Sequence, residues 1–486
     1  MEQTKDEFAT LCRKLESKPP REQGIISDTD RKHGFYTALI DTGIQLRYNQ
    51  LLKSTGQTIT LKGGRLQRPV QALLVRNLRD TEVLKIESSS LKTENGFELN
   101  VRPEWVRYGV AQYQSHSMNH ETYELAPRFL RVIPKDGMTL DKDYSLLIWY
   151  QIPIDQHVQP GTYSGELSIA LGKEKVLYPV TLQVEDFALP EADIAVGFFG
   201  LDPVSFDYYD KPGVHEIKKK NRRKVLQALH DRGFTTWSSL PESKFIKGND
   251  VWTLDAKEID DLMTEAKKLG FSKKVFTYGG LFPIPLDNYG PIDDVPQEIY
   301  RQKTSQALKL HMEKKQWLPV VFDISDEAAG YSQTVERDLK RVQILEQYYP
   351  FLRLGGYTHP IKRGEAGYEL NLKLTDISLS SIDDNYVQML KKDSRRWGRY
   401  NSSSGLVDDN RATFGQQLIA ARKQGCDHFL GWHLVLSQNY PYYDLDGRER
   451  DAMMIFPRKD GDFDFALNFE LAALGLEEYR LMLRLR

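Results

Sequence analysis

Two adjacent acids close an apolar run in the segment Val320-Val321-Phe322-Asp323-Ile324-Ser325-Asp326-Glu327. A buried strand that ends abruptly in carboxylates delivers them to one place. Asp326 and Glu327, held together in a dry cleft, repel one another, so their proton affinities should split. One then stays ionised while the other holds a proton near neutral pH, which places an acid beside an anion. The plain alternative remains open on spacing alone: Asp326 caps the next helix and Glu327 is solvated.

Acids at a strand end need a framework that gathers strand ends. From residue 193 onward the pattern alternates strand and helix. It predicts strands over Ile194–Leu201, Phe234–Leu240, Val275–Gly279, Leu318–Ser325, Leu352–Tyr357, Thr375–Leu379, Gly398–Asn401 and Asp427–Trp432. Helices fall between them, and Gly233, Gly270 and Gly425 mark three of their ends. Eight βα units in ~290 residues match a closed (β/α)8 TIM barrel. An open doubly wound sheet would want a glycine-rich phosphate loop after an early strand, and the sequence has none.

Ahead of this region, residues 57 to 187 read as short strands with turn punctuation such as Asn95-Gly96 and Pro160-Gly161. The pattern predicts Gln57–Lys62, Gln71–Arg76, Val83–Ser88, Phe97–Val101, Ser145–Ile152, Gly165–Leu171 and Val176–Val184 as strands. These predict an antiparallel β-sandwich over residues 1–190, followed by the α/β barrel over residues 191–486. Phe187-Ala188-Leu189-Pro190-Glu191 reads as the linker, because proline cannot continue a ladder.

In such a barrel the chemistry sits at the C-terminal ends of the strands. Those ends offer Trp237, Tyr278, Asp323, Asp326, Glu327, Tyr357, His359, Tyr400, Asn401, Trp432 and His433. Aromatic faces suit sugar rings, and a carboxyl pair suits acid/base work on a glycosidic bond. Phosphate chemistry would want Arg, Lys or a metal clamp there instead. The ten His are scattered, with no His-Glu-x-x-His pattern, so no metal and no cofactor are expected. Asp444-Leu445-Asp446-Gly447 and Asp460-Gly461-Asp462 lack the full calcium ligand series and read as turns.

Composition agrees with a soluble globular chain: of 486 residues, 40% are hydrophobic and 28% charged. The net charge of -2 gives no concentrated positive field for nucleic acid. Lys218-Lys219-Lys220 with Arg222 and Arg223 reads as a solvated helix face. The two cysteines, Cys12 and Cys426, make no disulfide framework. No run of ~20 apolar residues suggests a membrane span. Met1–Glu7 lacks an apolar signal core, which reads as a cytoplasmic protein or as a secreted or periplasmic one whose signal was trimmed.

Other segments carry a likeness. Leu125-Ala126-Pro127-Arg128-Phe129-Leu130, Leu147–Pro153 and Gln159–Gly165 resemble the sandwich domain of family 123 of the glycoside hydrolases, the β-N-acetylgalactosaminidases. Gly425–Trp432, Met453–Pro457, Phe469-Glu470-Leu471 and Gly475–Tyr479 are similar to the family's later strands and closing segment. The resemblance implies retaining, substrate-assisted hydrolysis of a glycan or glycoconjugate. By it, Glu327 is the general acid and then the base, and Asp326 holds the substrate's acetamido group. Tyr400 would donate to the acetamido oxygen and Trp432 would wall the pocket. The family's Asp-Glu is commonly followed by proline, whereas here Ala328-Ala329-Gly330 follows. A glycosidase of other specificity, or a non-catalytic carbohydrate-binding protein, would use the same scaffold.

Overall fold

The computed structural model describes residues 24–43, 46, 50–115, 123–201, 213–249, 251–277, 284, 295–327, 332–365, 367–402, 410–435, 453–458 and 460–485. Eight parallel strands close on themselves in chain order. They are Ala195–Phe199, Thr236–Ser238, Val275–Phe276, Val320–Asp326, Arg353–Thr358, Asp376–Leu379, Arg396–Ser402 and His428–Gly431. The eight expected strands are thus the eight barrel strands, with ends shifted by a few residues.

Alternation along the fourth strand explains the layering. Val321 points into the barrel with Phe199, Phe276, Tyr357, Tyr400 and Leu430. Val320, Phe322 and Ile324 belong to the outer apolar layer that the helices cover. Both faces are buried, as parallel strands require, and full burial of a side chain such as Phe322 contributes about 1.5–3 kcal/mol.

Two further sheets come mainly from residues 35–188. The first runs Phe35–Ile40, Val70–Asn77, Ser145–Gln151, Val106–Ser115, Tyr123–Val132, Phe463–Ala466 and Ile455–Pro457 in spatial order. The second runs Ile59–Arg65, Glu174–Ala188, Gly161–Leu171, Glu82–Ser88 and Met138–Leu140. Leu73 and Ile148 of the first sheet share one buried cluster with Leu61, Leu167 and Leu182 of the second. The expectation of wholly antiparallel pairing is corrected at one place: Ile59–Arg65 runs parallel to Glu174–Ala188. The long path between these two strands lets the chain return in the same direction.

Of the strands that escaped the sequence pattern, three are the longest. Phe35–Ile40 is buried along nearly its whole length, so it shows no alternation. Val106–Ser115 and Tyr123–Val132 are interrupted by Gly109 and Pro127, which meet across the pair. A Cβ on Gly109 would lie 2.7 Å from the Pro127 Cβ, so only glycine fits opposite that proline.

After the barrel the chain returns to the first sheet, where Phe465 pairs with Leu130. The helix Leu467–Arg484 follows and is buried on several sides. Leu471 and Leu474 pack on the outer face of the first sheet with Leu74, Leu147 and Trp149. Phe469, Ala472, Ala473 and Leu476 pack into the barrel's outer layer. Glu470 lies between, fully buried. It accepts from Arg107 Nη1 at 2.6 Å and from Arg232 Nη2 and Nε at 2.5 and 3.1 Å. Sandwich, barrel and last helix meet at that carboxylate.

Candidate active site

The fourth strand delivers its acids by two local irregularities. Asp323 pairs with Gly355 but Ser325 with Gly356, so one extra residue enters the fourth strand. Such a bulge re-aims the side chains beyond it. Glu327 then takes φ +48°, a left-handed conformation that costs free energy for a residue with a Cβ and clusters at functional turns. Its N–H donates to the Tyr357 carbonyl at 2.9 Å, which holds the turn in place.

Polar groups from four strand ends close a ring around Glu327. The Tyr400 hydroxyl donates to Glu327 Oε1 at 2.5 Å. His359 Nε2 stands 4.0 Å from Glu327 Oε2. His359 Nδ1 pairs with the Ser380 hydroxyl, and Ser380 also bonds Tyr400. Tyr400 is buried, whereas the Glu327 and His359 side chains are 44% and 57% exposed. The carboxylate is therefore held from below and open above, as a group that must meet a substrate has to be. Burial, with the Glu327 carboxylate next, raises the Tyr400 pKa, so its proton stays on the donor side of that bond.

Asp326 is exposed at the same mouth. The surrounding protein first, and the Glu327 charge second, raise its pKa above the usual carboxylate value. Its charge also reaches Asp323, Tyr357 and Tyr400, which places the carboxylate over the barrel interior.

Beneath them, the Tyr357 hydroxyl donates to Asp323 Oδ2 at 2.8 Å. Asp323 Oδ1 is buried without a hydrogen-bond partner, and burial raises this carboxyl well above its ordinary range. A carboxyl whose pKa is raised on folding stabilises the fold below its unfolded value and loses that contribution as pH rises through the folded one. Asp323→Asn keeps the shape and an acceptor for Tyr357. We expect it to match the wild type in acid and to unfold at a higher temperature than wild type at alkaline pH. Asp323→Ala removes the nearer partner of the Tyr357 hydroxyl, leaving Ser238 at 3.4 Å, and should cost about 1–3 kcal/mol. Melting temperatures of both variants across pH check this, and an Asn variant whose melting falls in parallel with wild type would refute it.

The remaining candidates divide. Tyr357 is buried under the mouth, with ring centres 5.1 Å from Phe199 and 5.2 Å from Tyr400. Trp432 edges onto Phe199 at 5.1 Å and is partly exposed toward the mouth. His433 is kept neutral by burial, its pKa pushed down to about 3, and its Nδ1 accepts from the Val435 N–H at 2.9 Å. Trp237 is not brought to the mouth. It is fully buried in the outer layer, edge-on to Phe271 at 5.4 Å, because its neighbours Thr236 and Ser238 occupy the opposite face of their strand. Asn401 follows Tyr400 on the seventh strand. The Asn401 side chain and the whole of Tyr278 lie outside the described residues. Ser380 and Phe199 went unread in the sequence. Their position at the ends of the sixth and first strands was the available signal.

Asp376, Asp427 and His428 converge at the opposite, N-terminal end of the barrel with metal-like spacing. Lys274 Nζ sits among them, donating to Asp376 at 2.7 Å and Asp427 at 2.8 Å, with His428 Nδ1 at 3.0 Å. A side-chain ammonium thus already supplies the cation there. Asp460 and Asp462 are likewise tied, to Arg458 and Lys224 at 2.7 and 2.6 Å. The loop Asp444–Gly447 lies outside the described residues. In the basic run, Lys219 and Arg222 pair with Asp261 and Glu258 of the next helix. Among the described residues no helix is long and apolar enough to cross a membrane.

The fold, with its acids at a strand end of a closed barrel, has a counterpart among solved structures. The chain is similar to a family 123 glycoside hydrolase from Clostridium perfringens whose description concerns glycolipid glycan hydrolysis. The TM-score is 0.68 at 14% identity, over 92% of this chain and 88% of that one. A family 39 glycoside hydrolase from Bacteroides cellulosilyticus WH2 aligns over 82% of this chain at 12% identity, but its TM-score of 0.39 carries no argument. No family model and no curated protein matches the sequence. The likeness to the first structure shows a shared architecture of sheets and barrel.

Proposed function

We propose that the protein is a retaining glycoside hydrolase that removes β-linked N-acetylgalactosamine with the help of the substrate's own 2-acetamido group. The observation that carries this reading is the pair Asp326–Glu327 at the end of the fourth barrel strand, with Tyr400 donating to Glu327. The shared architecture with a family 123 hydrolase supports it.

In this reading Glu327 protonates the leaving oxygen and then takes a proton from water. Tyr400 occupies Oε1, so the transferable proton belongs on Oε2, the oxygen toward His359. Asp326 accepts the acetamido N–H and stabilises the positive oxazolinium that forms. The carbonyl oxygen of the acetamido group attacks the anomeric carbon, so no protein carboxylate bonds to the sugar. Trp432, backed by the buried Phe199, offers an aromatic wall to the ring.

Asp326→Asn should lower turnover by about 10²–10³-fold, the scale of losing one preorganised electrostatic partner. Asp326 must be ionised to work, and its pKa is raised, so wild-type activity should fall on the acid side at a pH above the usual carboxylate range. A thiazoline analogue of the intermediate should inhibit strongly. The decisive measurement is release of p-nitrophenol from β-N-acetylgalactosaminide against β-N-acetylglucosaminide and β-galactoside, with thiazoline inhibition alongside. A covalent adduct on Asp326 or Asp323 from a 2-fluoro sugar, without thiazoline inhibition, sinks the assisted route. The Ala328-Ala329-Gly330 that replaces the family's proline favours a second reading, a glycosidase of other sugar specificity. A preference for β-galactoside would establish it.

A further inference from the structure

A cavity of 1240 Å³ opens between the sandwich and the barrel, at the barrel end opposite Glu327. Thr235 and Phe271, which precede the second and third barrel strands, line its barrel side. Trp105 and Gln151 line its sandwich side. Arginines and acids line it together: Arg68, Arg107, Arg232 and Arg480 are four of its seven arginines, and Glu191 and Asp231 are among its acids.

Not every one of these arginines is held directly by a carboxylate. Glu470 is shared by Arg107 and Arg232. Glu477 is buried, and burial pushes its carboxyl up to about 7, so at neutral pH it is only partly charged. Asp231 bonds His230 and Gln227, and the charges of Arg68 and Arg232 also reach it. Arg480 Nε is engaged by the Pro190 carbonyl at 2.8 Å, a neutral acceptor. Arg68 Nε is buried with no hydrogen-bond partner. Burial first, and the repulsion of Arg232 next, push Arg68 down to about 10, while Glu470 and Glu477 act the other way. Burying like charges without a matching anion is costly, and an incoming anion would offset that cost. A planar guanidinium with free donors suits carboxylate, sulfate or phosphate oxygens.

We propose that this cavity is a second ligand site, taking a small molecule that carries a carboxylate, sulfate or phosphate group bound by Arg68. The volume exceeds that of most small-molecule pockets, so a sugar bearing the anionic group fits. The site is separate from the carboxyl pair, and the inference does not depend on the glycosidase reading.

Isothermal titration calorimetry on the full chain tests it, with sodium phosphate, sodium sulfate and sodium glucuronate as probes and ionic strength held constant with sodium chloride. Saturable binding of at least one probe is expected. Arg68→Gln should weaken it by about tenfold or more, while Arg68→Lys keeps the charge and part of the affinity. The preferred probe identifies the source: glucuronate marks a sugar carboxylate, and sulfate or phosphate marks the corresponding ester. No saturable binding by any probe, or equal affinity in Arg68→Gln, would overturn the proposal.

Discussion

Glu327→Gln is expected to reduce hydrolysis of a glycan with a poor leaving group by about 10²–10⁴-fold, the usual contribution of a positioned general acid. The side chain is held by a hydrogen bond from Tyr400 and by a left-handed backbone turn, and glutamine can keep both. What it loses is the proton. A substrate with an acidic leaving group, such as a dinitrophenyl glycoside, needs no proton for departure and should suffer far less in the first step. The ratio of the two losses isolates the acid role from any general damage. Equal losses on both substrates, or wild-type turnover of the glycan, would remove Glu327 from the mechanism.

Glu470→Gln should be the most damaging substitution away from the mouth. The carboxylate is fully buried and neutralises Arg107 from the sandwich and Arg232 from the barrel. Removing its charge leaves two buried cations facing each other, at a cost of about 3–5 kcal/mol. The same charges hold the Glu470 carboxyl far below the usual carboxylate range. A carboxyl depressed in this way stabilises the fold above its unfolded pKa and loses that contribution as pH falls through the folded value. The variant should therefore melt well below wild type at neutral pH, and the gap should narrow in acid. Calorimetric melting at several pH values reads this directly. A neutral-pH melting temperature equal to wild type would show that the cluster contributes nothing net.

The barrel was legible because its strands are apolar runs separated by amphipathic helices, and each unit is local in sequence. The carboxyl pair was legible for the same reason: a run that stops at Asp326 and Glu327 marks a strand end without any knowledge of neighbours. Tyr357, Tyr400 and Trp432 followed from position. Trp237 did not, because Thr236–Ser238 is three residues long and too short to show which face points inward. Ser380 was missed because a serine after a strand is common in any turn. Its role appears only when His359 and Tyr400 are brought to either side. The strands Ile455–Pro457 and Phe463–Ala466 were missed because their partner, Tyr123–Val132, is separated from them by the whole barrel.

That last pairing has a consequence for how the molecule is made. As the chain leaves the ribosome, the edge of Tyr123–Val132 is ready long before Phe463–Ala466 exists to cover it. At ordinary elongation rates the wait is roughly tens of seconds. During it, the outer face around Leu74, Leu147 and Trp149 also lacks its helix, so a bare strand edge and an apolar surface are presented together. The first sheet thus stays incomplete at this edge until residues 463–484 have been made.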